Sequence, residues 1–524
     1  MANDRVVLIL GGGINGAAIA RELALQGLGF VLVDTADLAG GATAYSSRLI
    51  HGGLRYLEYG EYDLVRESLR ERAILLQNAP QLVRSLRFFI PVEHRFTGLV
   101  GAATRFLHLP WKPAFRSRGR YVVQMGLTLY DRFAQQGNNR LPKYAVHSRK
   151  VSDGEWVISR KPSQQLPQVG RRGTRWMLSY SDAQVQFPER FTIAMLKDAV
   201  AVAAERGTRG EVFPYHTAVL RGDEVEVSAT SKDANRKPIT FKPAAIVNAT
   251  GAWVDHTLQR LRIASEQLIG GTKGSHFFTW QPKLCELLRG QAVYAEAPDG
   301  RPVFVLPFGD GVLVGTTDLP FDGDPAMAVA TEEELSYLLT VVNDLFPTAD
   351  VDRADIVLHG CGVRPLPFVG KSTPAGVTRR HWLHWHDAAA VPLVSIIGGK
   401  LTTCRSLAEE TAAALAQRLG TAFTAGETLG RMFPAEPVLP QPDHFADITA
   451  ANIAPLLRTE FATQLEDLIE RRLMWLYRPG LTRGAITQLA EVLVELQQLS
   501  PADKLPAITR VCERLRDHFG RQIE

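Results

Sequence analysis

The residues best suited to chemistry in this 524-residue chain are basic side chains set on glycine-rich turns. His51-Gly52-Gly53-Leu54-Arg55-Tyr56 places an imidazole and a guanidinium on a loop whose two glycines let backbone approach a bulky ligand. A histidine can take an alcohol proton near neutral pH. An arginine offers a planar fork to a phosphate. Arg364 stands on a second such turn, Gly360-Cys361-Gly362-Val363-Arg364-Pro365. Arg379 follows in the strand-like Val377-Thr378-Arg379, Lys273 and His276 share Lys273-Gly274-Ser275-His276, and Lys400 lies in Gly398-Gly399-Lys400-Leu401-Thr402. Each has an ordinary alternative as a surface turn, a surface strand or a loop cap. Several converging cations need an anion to justify their burial, and a dianionic phosphate meets that need better than a carboxylate.

A nucleotide site can be read beside them. Gly11-Gly12-Gly13-Ile14-Asn15-Gly16 lies between the apolar run Val6–Leu10 and a helical stretch. Gly11 permits the tight turn, Gly13 lets backbone approach a pyrophosphate, and Gly16 allows a helix to pack closely on a sheet. The helix start, with Asn15 in it, offers free N–H groups and partial positive charge to phosphates. Asp34 ends the next apolar run about 20 residues on, where a carboxylate can accept both ribose hydroxyls. The hydroxyls of Thr43, Ser46 and Ser47 follow at a distance that suits the pyrophosphate. Two later segments favour a flavin over a nicotinamide nucleotide. Ile246–Gly251 is an apolar strand ending in Asn248, Thr250 and Gly251, the pattern of a strand returning near the adenine half. Val394–Thr403 is a strand, a Gly398-Gly399 pair and a helix start. That helix would aim its positive end at the flavin N1/O2 locus, with Lys400 adding a full charge and Leu401 and Thr402 beginning the helix. FAD is therefore the expected cofactor.

These residues need elements to carry them. Val6–Leu10, a helix over Ala17–Gln26 stopped by Gly27, and Phe30–Val33 form one βαβ unit, which implies a parallel sheet. A helix is expected over Glu61–Gln77, and another over Ala408–Leu419. Short strand-like runs from about Val122 to Pro320 suggest a second sheet interleaved with the first. The predicted organisation is a nucleotide-binding region over 1–415 with substrate-binding parts roughly at 80–180 and 255–360. A proline-marked linker follows at 416–444, and then a separate helical unit over 445–524, with helices near Ile486–Leu499 and Leu505–Phe519.

Bulk composition excludes several classes. Hydrophobic residues at 45% and charged residues at 22% are those of an ordinary globular chain. No apolar stretch is long enough to span a bilayer, and the first residues do not read as a secretory signal. A net charge of +4 is too slight to argue for nucleic acid. Cys285, Cys361, Cys404 and Cys512 form no CxxC pair, so free thiols in a reducing cytoplasm are expected, with no metal site. The charge is uneven, however. From Arg84 to Arg120 eight Arg and Lys residues stand against one acid, Glu93, with Phe88, Phe89, Phe96, Phe106, Trp111 and Phe115 interleaved. That mixture suits a membrane surface carrying anionic lipid, or equally a solvated basic loop around core aromatics.

The motifs GGGINGAAIARELALQGL, SSRLIHGGLRYLEYGEYDLVRESLRER, IVNATGAWVD, KGSHF, VFVLPFGDGVLVGTTDLPFDGDP, GVRPL and SIIGGKLTTCRSLAEE are spread over about 1–415. Through them the chain closely resembles the FAD-dependent glycerol-3-phosphate dehydrogenases and oxidases. The C-terminal region resembles the family's cap domain more weakly. The resemblance implies a mixed α/β fold, with a glutathione-reductase-like FAD-binding Rossmann domain interleaved with an antiparallel-sheet substrate domain. It implies oxidation of sn-glycerol 3-phosphate to dihydroxyacetone phosphate. Carried over residue by residue, it makes His51 the base or hydroxyl orienter. Arg55, Arg364 and Arg379 grip the substrate, with Tyr56 and Lys273 beside them, and Lys400 stabilises the reduced flavin. Respiratory members pass electrons to a quinone on the inner face of the cytoplasmic membrane, and a homodimer is compatible with this. An oxidase that makes hydrogen peroxide, an enzyme for another phosphorylated polyol and a flavin-binding surface protein without catalysis are the alternatives. One stretch departs from the family. After Tyr180-Ser181-Asp182 the chain reads Gln186-Phe187-Pro188-Glu189-Arg190 where the family carries an acidic pair, which puts the exact substrate in question.

Overall fold

The computed structural model describes residues 5–95, 119–136, 141–149, 156–158, 166–230, 237–368, 380–437 and 439–523. Strand β1 (Val6–Leu10), helix α1 (Ile14–Leu25) and strand β2 (Gly29–Val33) form the expected βαβ unit. The helix begins three residues earlier than the sequence pattern suggested, directly after Gly13, because the glycine turn itself delivers the chain into helical geometry.

β1 and β2 belong to a six-stranded sheet. Its order runs Trp382–Trp385, Leu393–Ile397, Ala245–Asn248, β1, β2, Gly210–Phe213. All pairings are parallel except the antiparallel edge strand Trp382–Trp385. Both β1 and β2 are buried along their whole length, as strands covered on both faces must be. Alternate residues go to opposite sides. Val7, Ile9, Phe30 and Leu32 pack with α1, Pro188–Glu205 and Cys404–Leu419. Val6, Leu8, Leu10, Val31 and Val33 pack with Val254, Leu258 and the small sheet that carries Val225 and Val227.

The second sheet has eleven strands among the described residues and is mostly antiparallel. Its longest pair is Val83–Val92 with Trp176–Val185. Neighbouring aromatics part by the same alternation: Phe88 and Phe278 enter one core, Phe89 and Phe277 the other. Phe88 and Phe89 are thus core residues of a strand. Most of the basic, aromatic stretch beyond Arg95 lies outside the described residues.

The helix expected over Glu61–Gln77 is Tyr62–Asn78, and that over Ala408–Leu419 extends back to Cys404. The C-terminal helices include Arg483–Glu495 and Lys504–Phe519. Ile486, Leu489, Val511 and Leu515 from these helices share one core with Phe88, Tyr180 and Leu306 of the large sheet. Within 416–444, Phe433 is buried beside Phe191, ring centroids 5.1 Å apart.

Candidate active site

The nucleotide end is built almost wholly from backbone. At the end of β1, Gly11 takes φ +102°, and a Cβ there would fall 2.7 Å from the Ala249 carbonyl oxygen. A Cβ on Gly16 would fall 2.0 Å from the Gly11 carbonyl oxygen, so the first turn of α1 can close on the strand end only without a side chain. Gly13 caps α1 with no side-chain hydrogen bond, which leaves the helix start to an outside acceptor. The Ile14 amide donates to Thr43 Oγ1 at 3.1 Å, tying the second glycine loop to the first. Asp34 accepts from the Gly12 amide at 2.7 Å and from the Ala36 amide at 2.9 Å. Burial outweighs these bonds and pushes its carboxyl up to about 6.

The other end is assembled across the whole chain. The His51 amide donates to Thr402 Oγ1 at 3.1 Å, joining the histidine turn to the late Gly398–Thr402 segment. Asn15 of α1 donates to the Gly398 carbonyl at 3.3 Å. Lys400 stands 4.2 Å from the centre of the Tyr56 ring. His51 is lowered to about 4, first by burial and then by Lys400 and Arg72, with Asp182 opposing. Its imidazole is therefore neutral at neutral pH. Behind it the Gly52 amide donates to Tyr130 Oη at 2.8 Å, and Tyr130 donates to both Asp182 oxygens at 2.7 and 2.8 Å. Arg72 completes this buried group by pairing with Asp182.

Arg364 is held by Asp318 at 3.0 Å, Thr316 Oγ1 at 2.9 Å and the Thr317 carbonyl at 3.1 Å. The Gly315–Asp318 segment is thus its seat. Gly274 is needed here too, since a Cβ would fall 2.1 Å from Arg364 Nη2. His276 lies 2.9 Å from Ser47 Oγ, and burial, followed by Arg364 and Arg48, lowers it to about 3.

One cavity of about 440 Å³ connects the two ends. It runs from Asp34 past Gly11, Gly13, Asn15, Thr43, Ser46 and Ser47 to His51, Tyr56, Thr250 and Gly251, and on to Arg364, Gly398, Gly399, Lys400, Leu401 and Thr402. Gly16 and Asn248 stand just outside it. Asn248 splints the strand end by accepting from Thr250 Oγ1 at 2.7 Å and donating to the Val254 carbonyl at 3.1 Å. Two expectations need correction. Arg55 does not line the cavity: its turn carries it toward Tyr59, with Nη2 3.5 Å from the phenol oxygen. Lys273 does not line it either, because its ammonium is drawn into a buried pair with Glu334 at 2.7 Å. Arg379 lies outside the described residues, while its neighbour Arg380 does line the cavity.

Sequence reasoning missed Arg260 and His256, which line the adenosine side. It also missed Arg72 and Tyr130 behind His51. Arg260 lies close enough to Asp34 to feel its charge. An exposed arginine at the end of a short helix leaves no local motif, so only the folded chain reveals it.

An extended, largely pre-formed cleft at the carboxyl ends of a parallel sheet defines a dinucleotide-binding protein of α/β class. Its walls fit FAD. The glycine turn leaves room and amides for a pyrophosphate, and Asn15 Oδ1 is buried with no protein partner among the described residues. Lys400 stands at the opposite end from Asp34. Residues 7–405 match the family described as "FAD dependent oxidoreductase", and the chain belongs to that family. It is similar to the "Glycerol-3-phosphate dehydrogenase" of Synechocystis sp., 34% identical over 430 residues that cover 77% of this chain and 68% of that one. It is also similar to the "D-erythritol 1-phosphate dehydrogenase" of Brucella abortus, 33% identical over 405 residues covering 77% and 72%. Among solved structures, the glycerol-3-phosphate dehydrogenase of Bacillus halodurans complexed with FAD superposes with a TM-score of 0.68 at 20% identity, covering 98% of this chain and 95% of that one. The chain is an FAD-dependent oxidoreductase.

Proposed function

We propose that the protein oxidises the secondary alcohol of a phosphorylated polyol, sn-glycerol 3-phosphate in the first place, to the ketone. The observation that carries this reading is a half-buried histidine, lowered to about 4 by its surroundings, that lines one cavity with two cations, Arg364 and Lys400. A neutral imidazole has a ring nitrogen free to take the hydroxyl proton. Arg364, already oriented by Asp318 and Thr316, grips the phosphate without having to be ordered at binding. Lys400, in the turn that precedes helix Cys404–Leu419, stabilises the negative charge that reduction brings. Bound FAD supplies the acceptor for the hydride that leaves the carbinol carbon. The roles of Asp34, Thr43, Ser46, Ser47 and Thr250 are to hold the nucleotide, and that of Tyr56 is to back Lys400.

A second reading is favoured by the similarity to the erythritol 1-phosphate enzyme: a four-carbon polyol phosphate. Anaerobic mixing of the holoprotein with a panel of phosphorylated and non-phosphorylated alcohols separates the two. Bleaching of the flavin by glycerol 3-phosphate at the lowest concentration supports the first reading. Faster bleaching by erythritol phosphate moves the assignment to the longer substrate. Bleaching by unphosphorylated alcohols alone overturns both.

Electrons are proposed to pass to a quinone, with the protein on the inner face of the cytoplasmic membrane and a homodimer as its assembly. Support comes from the resemblance and from the basic, aromatic residues between Arg84 and Arg120. Among the described residues no helix is long and apolar enough to cross a membrane. Reoxidation of the reduced protein by a soluble quinone analogue, set against peroxide formation in air, tests the acceptor. Sedimentation with anionic vesicles tests the surface, and replacing Arg116, Arg118 and Arg120 is expected to abolish it.

A further inference from the structure

The stretch that departs from the family, Gln186–Arg190, contributes nothing to the lining of the cavity. Its charges turn to other tasks. Glu189 holds Arg48 in a two-point pair, 2.8 Å to Nη1 and 2.7 Å to Nη2. Arg190 pairs with Glu436 at 2.8 Å and with Glu460, and donates to the Arg472 carbonyl at 3.2 Å. Both arginines are buried.

The C-terminal segment reaches the cofactor loops at three residues, Asp37, Tyr45 and Arg48, and reaches Tyr215 beside them. Arg472 forks onto Asp37 at 2.7 and 2.8 Å, and Arg471 pairs with the same carboxylate. Tyr215, next to Asp37 in space through the Ala36 carbonyl, donates to Asp467 at 2.5 Å. Tyr477 lies 2.7 Å from Arg48 Nη2, and His518 lies 3.2 Å from Tyr45 Oη. Asp37 and Arg48 line the cavity, and Tyr45 sits between Thr43 and Ser46, which also line it. The inner side of loops 34–37 and 43–48 therefore faces the nucleotide, and the outer side is gripped by residues 460–519.

Removing one partner from a buried ion pair leaves an uncompensated charge, so such pairs hold or part together. Burial alone would raise Asp37, yet Arg472 and Arg471 hold it at about 2. Parting the C-terminal segment from the loops would strand Asp37 and weaken the hold on Arg48 at the cavity wall. We propose that residues 460–519 act as a charged clasp on the two nucleotide-facing loops, so that flavin binding and docking of the C-terminal helices are one coupled equilibrium. The clasp rests on the reading that loops 34–37 and 43–48 hold the cofactor. Coupling of this kind is reciprocal: each event strengthens the other by the same factor.

Two measurements on the full chain test it. The first compares amide hydrogen exchange of the wild-type holoprotein with that of flavin-stripped protein. Helix Lys504–Phe519 and the helical segment Leu465–Arg472 are expected to exchange about tenfold faster without flavin, a typical size for coupled sites. Helix Glu332–Leu345, whose apolar residues belong to a different core from the C-terminal helices, serves as the internal control. The second titrates stripped protein with FAD. Arg472→Gln and Tyr477→Phe should each raise the flavin Kd, by about tenfold or more for the arginine. Arg510→Gln, which breaks a half-exposed pair with Glu466, should leave it unchanged. Asp34→Ala separates the two ideas. If it keeps full flavin affinity, the cofactor reading of the loops is at fault. If it loses flavin while Tyr477→Phe binds as wild type and exchange of the C-terminal helices ignores flavin, the clasp is overturned. Should Arg472→Gln fail to fold, Tyr477→Phe and the wild-type exchange comparison still decide.

Discussion

The two ends of the cavity are made in opposite ways. The nucleotide end draws mainly on Gly11–Asp37 and Thr43–Ser47, one βαβ unit and the loop after it, with Thr250, His256 and Arg260 beside them, and its working groups are mostly amides, hydroxyls, the Asp34 carboxylate and the space left by missing side chains. The reacting end draws on His51 and, more than 300 residues later, on Arg364 and Lys400, and each is a charged or titratable group held by partners from other elements. Backbone recognition tolerates change in neighbouring side chains but no added carbon at the turn. Side-chain recognition tolerates backbone neighbours but depends on every supporting bond.

That contrast can be broken most violently at the nucleotide end. Gly16→Val puts carbon where only 2.0 Å separates a Cβ from the Gly11 carbonyl. The expected outcome is a protein without flavin, or none that folds, read from flavin absorbance per chain. At the reacting end the damage should be kinetic instead. Arg364→Ala is expected to keep its flavin and lose about 2–4 kcal/mol of transition-state stabilisation, roughly 30- to 1000-fold in kcat/KM. Normal turnover in that variant would remove Arg364 from the phosphate grip.

The support behind His51 gives a smaller effect. Tyr130→Phe deletes the nearer acceptor for the Gly52 amide, leaving Asp182 Oδ1 at 3.4 Å, and the Tyr130 donor to Asp182. Leaving buried groups unsatisfied costs about 1–3 kcal/mol. Part of that should show as a lower Tm and part as a fall in kcat with KM little changed. Arg55→Ala should do least, since the side chain points at Tyr59 rather than the cavity. A loss as large as that of Arg364→Ala would mean that Arg55 swings inward when substrate binds.

pH separates the ends as well. Asp34 is proposed to hold ribose as a carboxylate, and burial sets its carboxyl at about 6 before the nucleotide arrives. Flavin affinity should therefore fall as pH drops through about 6, measured by titrating stripped protein. His51 and His276 are lowered from the ordinary 6.5 to about 4 and about 3. Between those values the unfolded chain binds protons that the folded chain refuses, so their share of stability rises with pH from about 3 to 6.5. Asp34 acts in the opposite sense between 3.8 and about 6, because its folded form takes the proton first. Asp37, lowered from 3.8 to about 2, acts with the histidines. The Tm of stripped protein should accordingly drop on acidification below 6.5.

Much of this was legible before folding. The glycine turn, Asp34, Thr43–Ser47 and Gly398–Thr402 all stand along one cavity, because each is a local pattern whose chemistry depends on its immediate neighbours. His51, Arg364 and Lys400 were legible as basic residues beside glycines. Arg55 and Lys273 were chosen by the same reasoning and stand off the cavity, since charge type says nothing about which partner claims a side chain. Glu334 claims Lys273 through a contact between Thr272–Thr279 and a helix some 60 residues later. Tyr130 stood in no motif, and Arg72 and Asp182, though inside stretches compared with the family, carried no sign of their role there: all three matter through contacts that span up to 110 residues.

The amino-acid sequence alone marked the nucleotide site and a set of basic residues suited to an anion. A turn, a helix start and a carboxylate about 20 residues on are short-range features that any fold containing them must express. Only the tertiary structure decided which cations face the cavity, that His51 is neutral, and that Gln186–Arg190 braces the C-terminal helices rather than the substrate. Those outcomes depend on burial and on pairing across long separations, and neither exists until the chain has closed on itself.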